Sequence, residues 1–220
     1  LALAHLSRGD RVEGRKILTD LVNADRSFAP AYAALASSQI QRGQLELAEF
    51  VLRRGLDGSP KDSALNNLMG AIYKRRYEHN EARQWLDKSL ASDPGFSPAL
   101  VNRANIAIIE KEYGAAEKDL TKAVASDPLS TSALVSLGVL RKRQGRFGEA
   151  ETAMRSAIDL SPEDPSARFN LGVLMLSELG RPNVALRLFN EVLQIEATDG
   201  RMRALAKNYI RDIKTQAVVH

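Results

Sequence analysis

Pro60, Pro94, Pro128 and Pro162 stand thirty-four residues apart, each behind an apolar stretch and inside Gly-Ser-Pro, Ser-Asp-Pro, Ser-Asp-Pro or Leu-Ser-Pro. A proline cannot continue a helix and pushes its predecessor out of helical angles, so each one ends a helix and restarts the chain at a fixed interval. One period earlier, Arg26 lies in Ala-Asp-Arg-Ser-Phe-Ala-Pro, which aligns with Ser-Asp-Pro-Gly-Phe-Ser-Pro around Pro94. The register therefore starts before residue 30. A period of this size marks an array whose core grows by stacking units rather than around one centre.

Further anchors follow the same register. Gly14, Ala48, Ala82, Ala116 and Ala150 share one position, where only the smallest side chains occur and two helices must cross closely. Four residues on come Leu18, Leu52, Leu86, Leu120 and Met154, the next turn of one apolar stripe. The preceding helix carries a large-then-small pair at Leu1-Ala2, Leu35-Ala36, Met69-Gly70, Leu137-Gly138 and Leu171-Gly172. Between the two helices a turn holds Gly9, Gly43 and Gly145, where a residue without a side chain ends a helix most easily.

This pattern resembles the tetratricopeptide repeat, a helix-turn-helix unit of thirty-four residues with Leu-Gly in its first helix, Ala and an apolar residue in its second, and Pro at the close. The resemblance implies an all-α fold, a right-handed α-solenoid superhelix. Whole repeats are expected at 29–62, 63–96, 97–130 and 131–164, and a fifth at 165–198, whose turn Gly180-Arg181-Pro182-Asn183 is one residue longer so that Ala185 falls one place late. Residues 1–28 supply a partial repeat. Residues 199–220 form a capping helix, with Met202, Leu205, Ala206, Tyr209, Ile210 and Ile213 as its apolar stripe and Arg201, Arg203, Lys207, Asn208, Arg211, Asp212 and Lys214 toward water. Departures from the pattern are Arg103 at a Leu position, and Asn66 and Arg168 where a large apolar residue is expected.

Composition narrows the function. Without cysteine there is no disulfide framework and no thiolate metal site. The chain reads as soluble, with cytoplasm and periplasm both open, since no apolar run is long enough to span a bilayer. It reads as a fragment, because its first residues look like the end of a repeat helix. The net charge of +4 is mild, its Lys and Arg residues are interleaved with Asp and Glu, and 5% of residues are aromatic, which argues against a nucleic-acid partner. His5, His79 and His220 have no second ligand at metal spacing, and no glycine-rich loop follows a strand, so no catalytic residue, cofactor or metal is expected. Glu-Lys and Glu-Arg mixtures on second helices read as solvated faces, and Trp85 as packing.

The resemblance places ligands along the inner wall made by the first helices, which here offers Asn67, Val101, Asn102, Asn105, Val135, Val139, Phe169, Asn170 and Val173. Asparagines carry both a donor and an acceptor and suit the backbone of a bound peptide, while local capping or packing accounts for them equally simply. At the rim, Lys74, Arg75, Arg76 and Arg141, Lys142, Arg143 end two first helices, either complementing the helix dipole or attracting an acidic partner. The Lys and Asn clamp by which some family members grip a chaperone's C-terminal carboxylate is absent. The leading expectation is a non-enzymatic scaffold binding a peptide or helix of another protein. The alternatives are an assembly factor of an envelope or motility complex, acting through its ends or convex face, and the substrate-selecting region of a larger enzyme; the open N-terminal face also allows self-association.

Overall fold

A computed structural model describes residues 11–25 and 27–218. The expectations placed on Leu1-Ala2, His5, Gly9, Arg26 and His220 fall outside these. Every regular element among the described residues is an α-helix: α1 (Arg11–Ala24), α2 (Ala29–Gln41), α3 (Leu45–Gly58), α4 (Ser63–Arg75), α5 (His79–Ser92), α6 (Ser97–Ile109), α7 (Tyr113–Ser126), α8 (Thr131–Arg143), α9 (Phe147–Leu160), α10 (Pro165–Ser177), α11 (Pro182–Gln194) and α12 (Gly200–Val218). The starts of α2, α4, α6, α8 and α10 keep the thirty-four-residue interval. The fold is an all-α helical-repeat solenoid.

The prolines act through one repeated turn. The helices α3, α5, α7 and α9 stop two residues before Pro60, Pro94, Pro128 and Pro162. The backbone then closes with Asp62 N to Ser59 O, Phe96 N to Asp93 O, Ser130 N to Asp127 O and Asp164 N to Ser161 O, each 3.1 Å. Proline sits at the second position of each turn, where its fixed φ is already correct. In three of the four, the next helix is capped by a side chain leaving that turn: Asp62 accepts from Leu65 N, Ser130 from Ala133 N and Asp164 from Ser166 N.

The chain divides into two compact units, residues 1–106 and 107–220. In the first, Leu18 and Val22 of α1, Tyr32, Leu35 and Ile40 of α2, Leu52 of α3 and Leu65, Met69 and Ile72 of α4 form one buried cluster. Small residues set the helix spacing. A Cβ built on Gly70 would stand 2.7 Å from Leu86 Cγ, and one on Gly55 2.9 Å from Tyr32. In the second unit Gly138 meets Met154 and Gly172 meets Phe189 in the same way, each at 2.8 Å. Phe189 stands where the one-residue insertion has moved the anchor from position 188, and Ala185 beside it is buried. The longer turn runs through Gly180 at φ +60°. Rings of Phe169, Phe189 and Tyr209 then join α10, α11 and α12, with Phe189 and Tyr209 stacked at 4.9 Å.

The turn between paired helices holds a residue of positive φ at 43, 77, 111 and 145. Gly43 and Gly145 fill it at +75°, but Tyr77 and Lys111 take +63° and +65° with a side chain attached. Two other departures from the repeat pattern have a shared explanation. Asn66 is buried and donates to the carbonyls of Pro60 and Asp62, and Arg168 donates to that of Pro162, so a polar side chain here closes the preceding turn where an apolar one would fill space. Arg103, at a Leu position, reaches Asp87 at 2.7 Å.

Three expectations need correction. On α12, Leu205 is 41% exposed and leaves the apolar stripe, which is carried by Ala206, Ile210 and Ile213. Arg203 does not face water: it is half-buried and donates to Leu193 O at 2.7 Å and Ile195 O at 3.3 Å, capping the end of α11. The Glu residues of the second helices are not simply solvated. Glu49, Glu117 and Glu151 share one register position, and each turns toward an arginine of the following repeat.

Candidate functional site

The first-helix residues proposed from sequence separate into two sets, one in each unit. In the first unit α4 brings Asn67 and Lys74, and α6 brings Val101, Asn102 and Asn105. Asn67 and Val101 are buried, 7% and 5% exposed, so they support the surface rather than line it. Asn102 Nδ2 donates to Asn67 Oδ1 at 2.9 Å, and Lys74 Nζ donates to Asn102 Oδ1, which produces a chain from amide to amide to ammonium between neighbouring helices. Asn105 is half-buried one turn away and has no side-chain hydrogen bond of its own among the described residues. Burial, helped by the charge of Arg75, holds the Lys74 ammonium below the ordinary lysine value, and no carboxylate offsets this.

The second unit is more apolar. Val135 and Val139 of α8 and Phe169 and Val173 of α10 are all half-buried. Phe169 is held in the aromatic group, 5.7 Å from Phe189 and 6.0 Å from Tyr209. Asn170 is half-buried and donates its Nδ2 back to Ser166 O at 2.8 Å, a bond within its own helix.

Most of the basic rim is already engaged. Arg75 donates to Ile40 O at 2.9 Å, at the end of the preceding first helix. Arg76 pairs with Glu49 at 2.7 Å and Glu46 at 3.3 Å, its guanidinium 5.7 Å from the Tyr73 ring. Glu49 also accepts from Arg53 at 2.6 Å and from Tyr73 Oη at 3.1 Å; burial pushes its pKa up, yet these donors bring it below the usual carboxylate value. In the second unit Arg141 pairs with Glu117 at 2.5 Å, joined by Gln144 at 3.1 Å and Arg146 at 3.2 Å. These donors, Arg141 first, take the Glu117 pKa down to about 2. Glu151 repeats the position, with Arg155 at 2.7 Å and Arg181 at 3.8 Å. Lys142 is half-buried, and burial lowers its pKa against the opposing charge of Glu178, while Arg143 is exposed. Trp85 packs beside the first core with Lys88 Nζ 3.9 Å from its ring centre.

No group of three or more His, Cys, Asp or Glu suited to a metal occurs among the described residues. No helix among them is long and apolar enough to cross a membrane. What the geometry presents are faces of paired helices with amides, a half-buried ammonium and apolar side chains, the kind of surface with which helical-repeat proteins meet other proteins.

Comparison with known proteins agrees. Profiles described as "Tetratricopeptide repeat" match residues 63–92, 110–165 and 137–200, which together span more than half of the chain. The chain belongs to the tetratricopeptide repeat family, whose repeats are protein-protein interaction scaffolds. Similar solved structures include pilF of Pseudomonas aeruginosa, at 20% identity and a TM-score of 0.65 over 86% of this chain and 89% of that one. A thermophilic tetratricopeptide repeat protein of Thermus thermophilus superposes at a TM-score of 0.74 and 18% identity, over 83% and 98% of the two chains. YrrB, described as having an unusual peptide-binding site, reaches 0.51 at 18% identity over 87% and 97%. At these identities the likeness concerns the fold. No curated protein matches the chain.

Proposed function

We propose that the chain is a non-catalytic scaffold that docks a peptide of a partner protein against its first helices, and that the surface around Lys74, Asn102 and Asn105 in the first unit takes an acidic residue of that peptide. The observation that carries this reading is the Lys74 ammonium, half-buried and bonded, among the described residues, only to an amide oxygen. A desolvated cation without a counter-ion gains most from a carboxylate brought by a ligand. Asn102, already oriented by Asn67, positions that cation, and Asn105 offers its amide to a peptide backbone. Within the second unit, taken by itself, the half-buried Val135, Val139 and Val173 offer apolar contact to a peptide on that unit's own first helices, and the Oδ1 of Asn170, which accepts no hydrogen bond among the described residues, takes a peptide N–H there.

The test compares the chain with Lys74→Met and with the triple variant Asn102→Ala, Asn105→Ala, Asn170→Ala, all shown by thermal melts to be folded. Partners captured from the native source are identified, and their binding segments are re-made as synthetic peptides. The expected result is a partner lost by the triple variant, whose peptide carries an Asp or Glu and weakens at least tenfold with Lys74→Met. Equal capture and equal peptide affinity in all three chains would remove the first-helix face as the site and promote assembly through another surface.

A further inference from the structure

The charge of this chain is not spread evenly. Helix α12 carries Arg201, Arg203, Lys207, Arg211 and Lys214 against the single carboxylate of Asp212, a surplus of four that equals the +4 of the whole chain. The remaining residues therefore sum to zero. None of these cations lies in the last turn of α12, so the helix dipole, whose effect fades within one turn, does not account for them. Arg203 is explained, because it caps α11. Lys207, Arg211 and Lys214 are not. They follow one another at i, i+4 and i+7, one file about 10 Å long on one side of the helix.

That file borders a cleft between α11 and α12 with a volume of about 660 Å³. Its apolar lining is Leu193 of α11 and Ile210 of α12, and Asn190 and Thr215 complete it. No carboxylate lines it among the described residues. Arg211 is exposed with only its neighbour Asp212 at 3.5 Å, and neither Lys207 nor Lys214 pairs with an acid among the described residues.

We infer that this cleft is a second docking site, distinct from the first-helix face, which takes an acidic amphipathic helix of a partner protein. The partner lays apolar side chains on Leu193 and Ile210 and presents Asp or Glu at i, i+4 and i+7 to Lys207, Arg211 and Lys214. Charge complementarity selects an acidic occupant, and a trough between two packed helices is filled most completely by a third helix. A lipid surface is disfavoured because Ala206 and Ile213 of α12 are buried in the core, so the helix has no continuous apolar face to insert. A nucleic acid is disfavoured because Tyr209, the aromatic ring of α12, is stacked on Phe189 and is not free to stack on a base.

The experiment uses the 220-residue chain and fluorescence anisotropy with three labelled probes: a designed helix with Leu on one face and Glu at i, i+4 and i+7, the same helix with Lys in place of Glu, and a scrambled Glu peptide without an apolar face. The chain is expected to bind the Glu helix at least tenfold more tightly than either other probe, with affinity falling as salt is added. The exposed-residue variant Lys207→Glu, Arg211→Glu, Lys214→Glu is expected to exchange the preference, taking the Lys helix over the Glu helix. Lys74→Met is expected to leave this binding unchanged, so failure here and failure of the first-helix reading are separable. Equal affinity for ordered and scrambled Glu peptides, an unaltered preference in the charge-reversed chain, or tighter binding to phosphatidylserine vesicles or a DNA oligonucleotide than to the Glu helix would each overturn the inference. So would a dimer in sedimentation that the charge-reversed variant abolishes, since the occupant would then be a second copy.

Discussion

The joint between α3 and α4 in the first unit and the joint between α7 and α8 in the second solve one problem with different residues. In each, a carboxylate at the same register position, Glu49 or Glu117, leaves a second helix and meets the end of the next first helix. In the first unit its donors are Tyr73 and Arg76 from across the joint and Arg53 from its own helix. In the second unit the equivalent of Tyr73 is Arg141 and that of Arg76 is Gln144, with Arg146 added. Repeat registers preserve where a charge is needed and leave open which neighbour supplies its partner, because several side chains at a helix end reach the same point. The two Lys-Arg triplets that look alike in sequence are in fact offset by one residue in register and do different work.

The largest expected difference lies in the arginines that cross each joint. Arg141 is 12% exposed and gives Glu117, itself 36% exposed, its shortest bond, so Arg141→Ala should cost about 1 kcal/mol. Arg76→Ala should cost about half as much, since Arg53 still holds Glu49. Urea unfolding of both variants checks this, and equal losses would show that the joints are equivalent after all. Sharper is a transplant: Arg141→Tyr with Gln144→Arg rebuilds the first unit's arrangement in the second and should recover about 0.5–1 kcal/mol of the loss from Arg141→Ala. No recovery would mean that more than these side chains distinguishes the two sites.

A smaller effect should be the same in both units. Tyr77→Gly and Lys111→Gly each relieve a side chain at positive φ and should raise stability by about 0.5 kcal/mol, seen as a higher melting temperature. A loss at Tyr77 alone would show that its ring contributes packing despite its exposure. The smallest effect concerns acid. Glu117 has a folded pKa of about 2 against an ordinary 4.5, so its contribution is complete above pH 4.5 and disappears as the pH falls from there toward 2. Over that window Glu117→Gln should flatten the fall in stability measured for the parent chain, and a parallel curve would refute the role given to Glu117.

The helical class of the chain and its repeat period were legible because proline, glycine and alanine act locally: a ring that fixes φ or a missing side chain has the same consequence wherever it occurs. The basis of the Asn66 and Arg168 exceptions was not, since a hydrogen bond to the carbonyl six residues back exists only once the turn is closed. For the proposed surface, the sequence supplied positions along the first helices but not their burial or their bonding. Counting along first helices finds Asn67, Asn102 and Lys74, but their coupling links residues twenty-eight and thirty-five apart in sequence, and nothing local reports that Asn67 and Val101 are buried. The same holds for Glu49, Glu117 and Glu151, whose shared register position was the available signal.

By itself the sequence determined that this protein is a stack of helical pairs, because backbone restriction and apolar periodicity are properties of short segments. Only the tertiary structure decided which charges are used inside the stack. Arg76 and Arg141 are engaged at joints and Arg203 caps a helix. Whether an ammonium or guanidinium is neutralised depends on carboxylates and carbonyls brought within about 3 Å by packing, and that distance is settled when helices meet.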